Sequence, residues 1–156
     1  MSKSVELDEI DHRILDILLQ RGDIANNALA DEVGLTPGPC LRRVQRLRES
    51  GVILSTTVRL DNRLLGFEIS AFVEITLEQH TTEIADQFTR AIADKPQVLS
   101  CYMTTGDCDF LLRILVRDLE EYRNLIWNEL HKIEGVKTIR SAVILDSLKE
   151  ELHRNR

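Results

Sequence analysis

The chain has no uninterrupted apolar run approaching eighteen residues, and its opening stretch, MSKSVELDEIDHR, lacks the apolar segment that a secretory signal needs. A soluble, unsecreted, cytoplasmic protein with no membrane partner is expected. Three cysteines, Cys40, Cys101 and Cys108, form neither a CxxC pair nor an even set. That speaks against a metal site or a disulfide framework and for reduced thiols packed as small apolar groups. The four histidines, His12, His80, His131 and His153, stand singly, so no metal cage is suggested and no cofactor is expected. Overall positive charge is also missing: 20 basic against 26 acidic side chains leave −6, which opposes nucleic-acid binding by bulk attraction.

What the chain does have is 156 residues at 43% apolar content, enough for one medium domain or two small ones. Its charge is unevenly placed. Residues 1–60 carry eight basic and nine acidic side chains, residues 61–156 twelve and seventeen. The one strongly positive island is Arg42, Arg43, Arg46 and Arg48, a stretch without an acid.

Hydrophobic spacing predicts three helices in residues 1–60. The first, from Leu7 to Gln20, aligns Ile10, Ile14, Ile17 and Leu18 behind an Asp8 N-cap with Asp11 three residues on. The second, NNALADEVG, is expected to start at an Asn26 or Asn27 cap, bury Leu29, Ala30 and Val33, and stop at Gly34. The third starts at Thr36, where Pro37 and Pro39 lose nothing in a first turn whose N–H groups have no internal acceptor. Cys40, Leu41, Val44 and Leu47 form its buried stripe, leaving Gly38, Arg42, Arg43, Gln45 and Arg46 to project elsewhere. The β-branched segment VILSTTVRL after Gly51 reads as a small ribbon, and residues 61–67 as a linker.

In residues 68–156 the period changes to two: Ile69, Ala71, Val73, Ile75 and Leu77 share one strand face. A helix with Ile84, Phe88, Ala91 and Ile92 on one stripe follows, ended by Pro96. The strands VLSCYMTT and FLLRILVR then flank a GDCD turn. A last helix aligns Leu119, Tyr122, Ile126, Leu130 and Ile133, and VKTIRSAVIL closes the set. The order βαββαβ is that of a ferredoxin-like split unit, both helices on one face of four strands. The fold class is therefore α+β. Phe72, Tyr102, Leu111, Leu115, Ala142 and Ile144 fall on the opposite face, where a second copy related by a two-fold axis is the simplest cover; a partly solvated face is the alternative.

Three short helices with a tight GLT turn before the third, followed by a ribbon, describe a winged helix-turn-helix, and hence binding to double-stranded DNA. The third helix would enter the major groove N-terminal half first. Thr36, Pro37 and Gly38 would approach phosphate, and Arg42, Arg43, Gln45 and Arg46 would reach base edges or phosphates.

These motifs, LDEIDHRILDILLQRGDIANNALADEVGLTPGPCLRRVQRLRESGVI in the first half and FVEITL and TTGDCDFLLRILVRDLEEYRNLI in the second, together resemble the Lrp/AsnC, or feast/famine, family of transcription regulators. The resemblance covers nearly the whole length. It implies a homodimer assembling into a tetramer or octamer through the second domain, an operator as DNA partner, and a small effector, commonly an amino acid. In TTGDCD, Gly106 can offer backbone N–H groups to a carboxylate, Thr104 and Thr105 can add hydroxyl donors, and Asp107 or Asp109 can pair with an ammonium. Ser141, Ala142 and Val143 of the last strand would line the same pocket at a subunit interface. An ordinary Gly-Asp hairpin is the other reading of this loop.

Two residues depart from the family pattern: Gly38, where a bulkier side chain is usual, and Cys108, where an aromatic often stands. Cys101 and Cys108 could meet across the hairpin and act in redox sensing, with plain packing the simpler role. Two other functions suit the same architecture. Some decarboxylases of modified tetrapyrroles share the architecture, but no paired nucleophile and base is visible and no catalytic residue is expected. An architectural protein that wraps DNA without an effector is compatible with the same residues.

Overall fold

A computed structural model describes residues 5–149; His153 and the end of the expected second domain lie outside them. The described chain divides into two compact units, the first reaching Arg59 and the second spanning Leu60–Lys149.

The first unit holds α1 (Glu9–Gln20), α2 (Asn26–Val33) and α3 (Pro37–Glu49). A capping box opens α1: the Asp8 carboxylate accepts from the Asp11 N–H at 2.8 Å, and the Asp11 carboxylate accepts from the Asp8 N–H at 3.2 Å. Ile14 and Leu15 of α1 meet Leu29, Ala30 and Val33 of α2 and Cys40, Val44 and Leu47 of α3 in one core. Leu15 joins that core, whereas Ile10, Ile17 and Leu18 pack only partly against it. Helix α2 starts at Asn26 itself, after an Ala25 cap that makes no side-chain bond. The Asn26 amide instead donates to the Pro37 carbonyl at 2.9 Å, fastening the start of α2 to the start of α3. Gly34 ends α2 in the left-handed region at φ 73°, and the Leu35 N–H returns to the Ala30 carbonyl at 2.8 Å. This compact turn sets the direction in which α3 leaves.

Two further expectations for the first unit fail. Leu41 is 46% exposed, because it lies about a quarter turn from the stripe that Cys40, Val44 and Leu47 already fill. The expected ribbon does not form: residues 52–60 contain no strand. A ribbon needs a return strand, and this single β-branched run reaches Asp61 without one. Val52 and Ile53 fold back on the helical core, with the Ile53 N–H donating to the Leu47 carbonyl at 3.0 Å, while Leu54 and Val58 are almost wholly exposed.

The second unit opens with turns around Asp61, whose carboxylate accepts from the Arg63 and Leu64 N–H groups. The segment read as linker is thus hydrogen-bonded, and it groups with the second unit. Then come β1 (Ile69–Leu77), α4 (Thr82–Ala93), β2 (Val98–Met103), β3 (Phe110–Val116), α5 (Leu119–Arg123) running into a π-helical segment (Asn124–Leu130), and β4 (Val136–Val143). The strands order β2-β3-β1-β4, all antiparallel, as the split βαββαβ unit requires. Ala71, Val73, Ile75 and Leu77 alternate inward and meet Leu112 and Ile114 of β3 and Phe88, Ile92, Leu125, Ile126 and Leu130 of the helices.

Phase errors appear in both helices. Ala91 is exposed and Ala85 packs in its place. Leu119, which opens α5, is exposed, and Leu125, three residues after Tyr122, is fully buried beside the expected Ile126 and Leu130; the segment after α5 is closed by the His131 N–H on the Ile126 carbonyl. On the opposite sheet face Phe72 and Tyr102 are 40% and 56% exposed. Leu115 on that face is already covered within the chain.

Candidate functional site

Helix α3 turns its stripe of Cys40, Val44 and Leu47 to the core. Helical geometry then directs Gly38, Arg42, Gln45 and Arg46 outward, and all four are exposed. Thr36 occupies the N-cap position with extended backbone, and Pro37 is the first helical residue. The Thr36 hydroxyl makes no capping bond, and because residues 37 and 39 are prolines and the Cys40 N–H donates to the Thr36 carbonyl, Gly38 carries the one N–H of this first turn that no cap claims. At Gly38 an added Cβ would meet nothing closer than the Arg42 guanidinium at 3.8 Å. The fold itself therefore does not demand glycine there.

The arginines divide. Arg43 donates from one amino group to Asp8 Oδ2 at 2.6 Å and to Asp11 Oδ1 at 2.9 Å, and is only 27% exposed. Arg46 donates to the other oxygen of Asp11 while staying 51% exposed. The Asp11 side chain is almost completely buried. These bonds hold the Asp8 carboxyl below its ordinary value, first through the Asp11 N–H and then through Arg43, and they push the Arg43 guanidinium up. Arg42 makes no ion pair among the described residues. The expectation that Arg43 projects freely with the others is thus corrected: it is pinned to α1, and the acids that answer the basic run come from 32 and 35 positions earlier in the chain. A charge count confined to the run could not find them.

In the hairpin between β2 and β3, Gly106 adopts φ 116°, a conformation that side chains rarely take. The Thr104 hydroxyl donates to the Cys108 carbonyl at 2.8 Å and the Thr104 N–H to the Asp109 carbonyl at 3.0 Å. Asp109 is occupied: one carboxylate oxygen accepts from the Leu77 N–H at 2.8 Å and the other meets His80 Nδ1 at 2.8 Å. It ties the hairpin to the end of β1, with both carboxylate oxygens already engaged. Asp107 has only its carbonyl engaged, by the Thr76 hydroxyl at 3.3 Å; its carboxylate, like Thr105, points to no partner among the described residues.

Ser141, Ala142 and Val143 pair with β1 at Val73, Phe72 and Ala71, whereas the loop joins the other edge of β1, where the Asp109 N–H donates to the Ile75 carbonyl. One chain therefore does not bring the two groups together. The Ser141 hydroxyl is bonded to the Tyr122 phenol. Cys101 pairs with Leu112, which leaves Cys108 about four residues, roughly 13 Å, along the ladder. All three thiols are free, and burial pushes those of Cys40 and Cys101 up, away from thiolate character.

Two family models match the chain. One, described as a winged helix-turn-helix DNA-binding domain, covers residues 7–53; the other, the Lrp/AsnC ligand binding domain, covers residues 70–153. The Bkd operon transcriptional regulator of Pseudomonas aeruginosa is 43% identical over 92% of this chain and 94% of its own. The leucine-responsive regulatory protein of Escherichia coli K12 is 37% identical over 93% of this chain and 88% of its own. Among solved structures, a transcriptional regulator from Neisseria meningitidis in complex with L-Met superposes with a TM-score of 0.90 at 27% identity, covering 94% of this chain and 95% of that one.

Proposed function

The chain belongs to the Lrp/AsnC family of transcriptional regulators, and from that premise we propose how it divides recognition between its two units. Residues 1–60 bind an operator in double-stranded DNA, α3 entering the major groove. Arg42, Gln45 and the free side of Arg46 read base edges or phosphates, and Thr36, Pro37 and Gly38 bring the helix start against the backbone. The observation that carries this is the outward face of α3, where Arg42 stands uncommitted beside an anchored Arg46. Arg43 holds the helix in place.

The second unit binds a small effector. An amino acid is favoured by the relatives, one named for leucine and one solved with L-Met. Thr105, Gly106 and Asp107 supply the open polar groups for its carboxylate and ammonium, and Thr104 and Asp109 shape the loop that presents them. Ser141 to Val143 would reach such a ligand only from a neighbouring copy, which fits a homodimer joined through the Phe72 and Tyr102 face and assembled further to a tetramer or octamer.

Selection of bound sequences from a random duplex pool, at near-physiological salt with and without a mixture of amino acids, tests both halves. A near-palindromic motif whose recovery changes with amino acids is expected. A motif indifferent to them would make the loop structural and the protein architectural; no motif would overturn the DNA reading.

A further inference from the structure

The Asp11 network does more than tie two helices. Arg43, Arg46, Asp8 and Asp11 together sum to zero charge, so half of the four-arginine island is neutralised inside the fold. Arg46 is bound through a single amino group and is half exposed, which leaves most of its guanidinium donors directed away from Asp11. An arginine fixed in this way loses less freedom when its fork meets a planar acceptor pair on a base or phosphate. Affinity for DNA of any sequence grows with the number of phosphates neutralised, and a carboxylate beside the contact face subtracts from that number.

We propose that Asp11 is a positioning and specificity-determining residue for DNA recognition: it aims Arg46 at the groove, and its negative charge weakens binding that rests on phosphate attraction alone. The inference rests on α3 being the DNA-contacting helix.

The test compares full-length wild type, Asp11→Asn and Asp8→Ser on the selected operator and on an unrelated duplex of equal length, across a salt series. Asparagine keeps the size and an acceptor oxygen but removes the charge. Asp11→Asn is expected to bind the unrelated duplex several-fold more tightly, with a salt slope steeper by about 1, and to lose roughly tenfold in the operator-to-unrelated ratio. Asp8→Ser retains an N-cap acceptor and releases Arg43 from one carboxylate only, so it shifts the same quantities in the same direction by less. It also decides the matter should the buried substitution fail to fold. If Asp11 were purely structural, both affinities would fall in proportion and the ratio and slope would stay at wild-type values; that result overturns the proposal. A wild-type protein unable to discriminate the operator would instead bring down the α3 reading itself, together with this inference. Discrimination that survives in wild type but is unmoved in both variants brings down the inference alone.

Discussion

The basic run on α3 and the acidic hairpin at 104–109 are built alike. In each, a cluster of like charges divides into members held by the fold and members left to solvent. Arg43 is held by Asp8 and Asp11, and Arg42 is not; Asp109 is held by the Leu77 N–H and His80, and Asp107 is not. Placement relative to a neighbouring element decides which is which. Arg43 sits on the flank of α3 that meets α1, and Asp109 at the mouth of the hairpin beside the end of β1. The comparison teaches that like charges close in sequence have separate tasks: the held residue positions the element, and the free one is available to a partner.

Substitutions can break that division. The largest expected effect is Asp109→Ala, which strips the Leu77 N–H of its acceptor and His80 of its partner; a loss of about 2–3 kcal/mol is expected, read by denaturant unfolding. Asp107→Ala should stay within about 0.5 kcal/mol of wild type, and equal losses for the two would erase the distinction. Next is Arg43→Ala, which leaves the buried Asp11 with Arg46 alone and should cost about 2 kcal/mol. Gly106→Ala forces a side chain into the left-handed region and should destabilise by about 1–2 kcal/mol; it should also blunt any amino-acid response, as isothermal titration would register. The smallest effect concerns pH. The Asp8 carboxyl is lowered in the folded state from an ordinary value of 3.8, so its contribution is complete above that value and fades as pH falls through the lower, folded one. The gap in thermal midpoint between wild type and Asp8→Ser should therefore hold steady from neutral pH down to about 5 and shrink below about 4.

The element order, the α1 cap at Asp8, the Gly34 stop and the inward face of β1 could all be read from the sequence, because each rests on residues within a few positions of one another. What could not be read depends on tertiary neighbours. The partners of Arg43 lie more than thirty residues away, and the occupation of Asp109 becomes visible only once β1 and β3 are in register. Leu119 falls on the stripe by spacing but opens α5 in its exposed first turn, while Leu125, three residues after Tyr122, widens the stripe that Ile126 and Leu130 define. A ribbon was expected from β-branched composition alone, and Leu54 and Val58 show that such composition without a return strand makes no ladder. In the loop, the sequence did not separate the aspartate that builds the hairpin from the one that faces solvent.

The most direct measurement is a titration of the selected operator with wild type and Arg42→Ala at matched salt, alongside their unfolding midpoints. The account predicts unchanged stability and an affinity lower by about tenfold, the size of one lost base or phosphate contact. Superimposable binding curves, with Arg42→Ala fully folded, would contradict it.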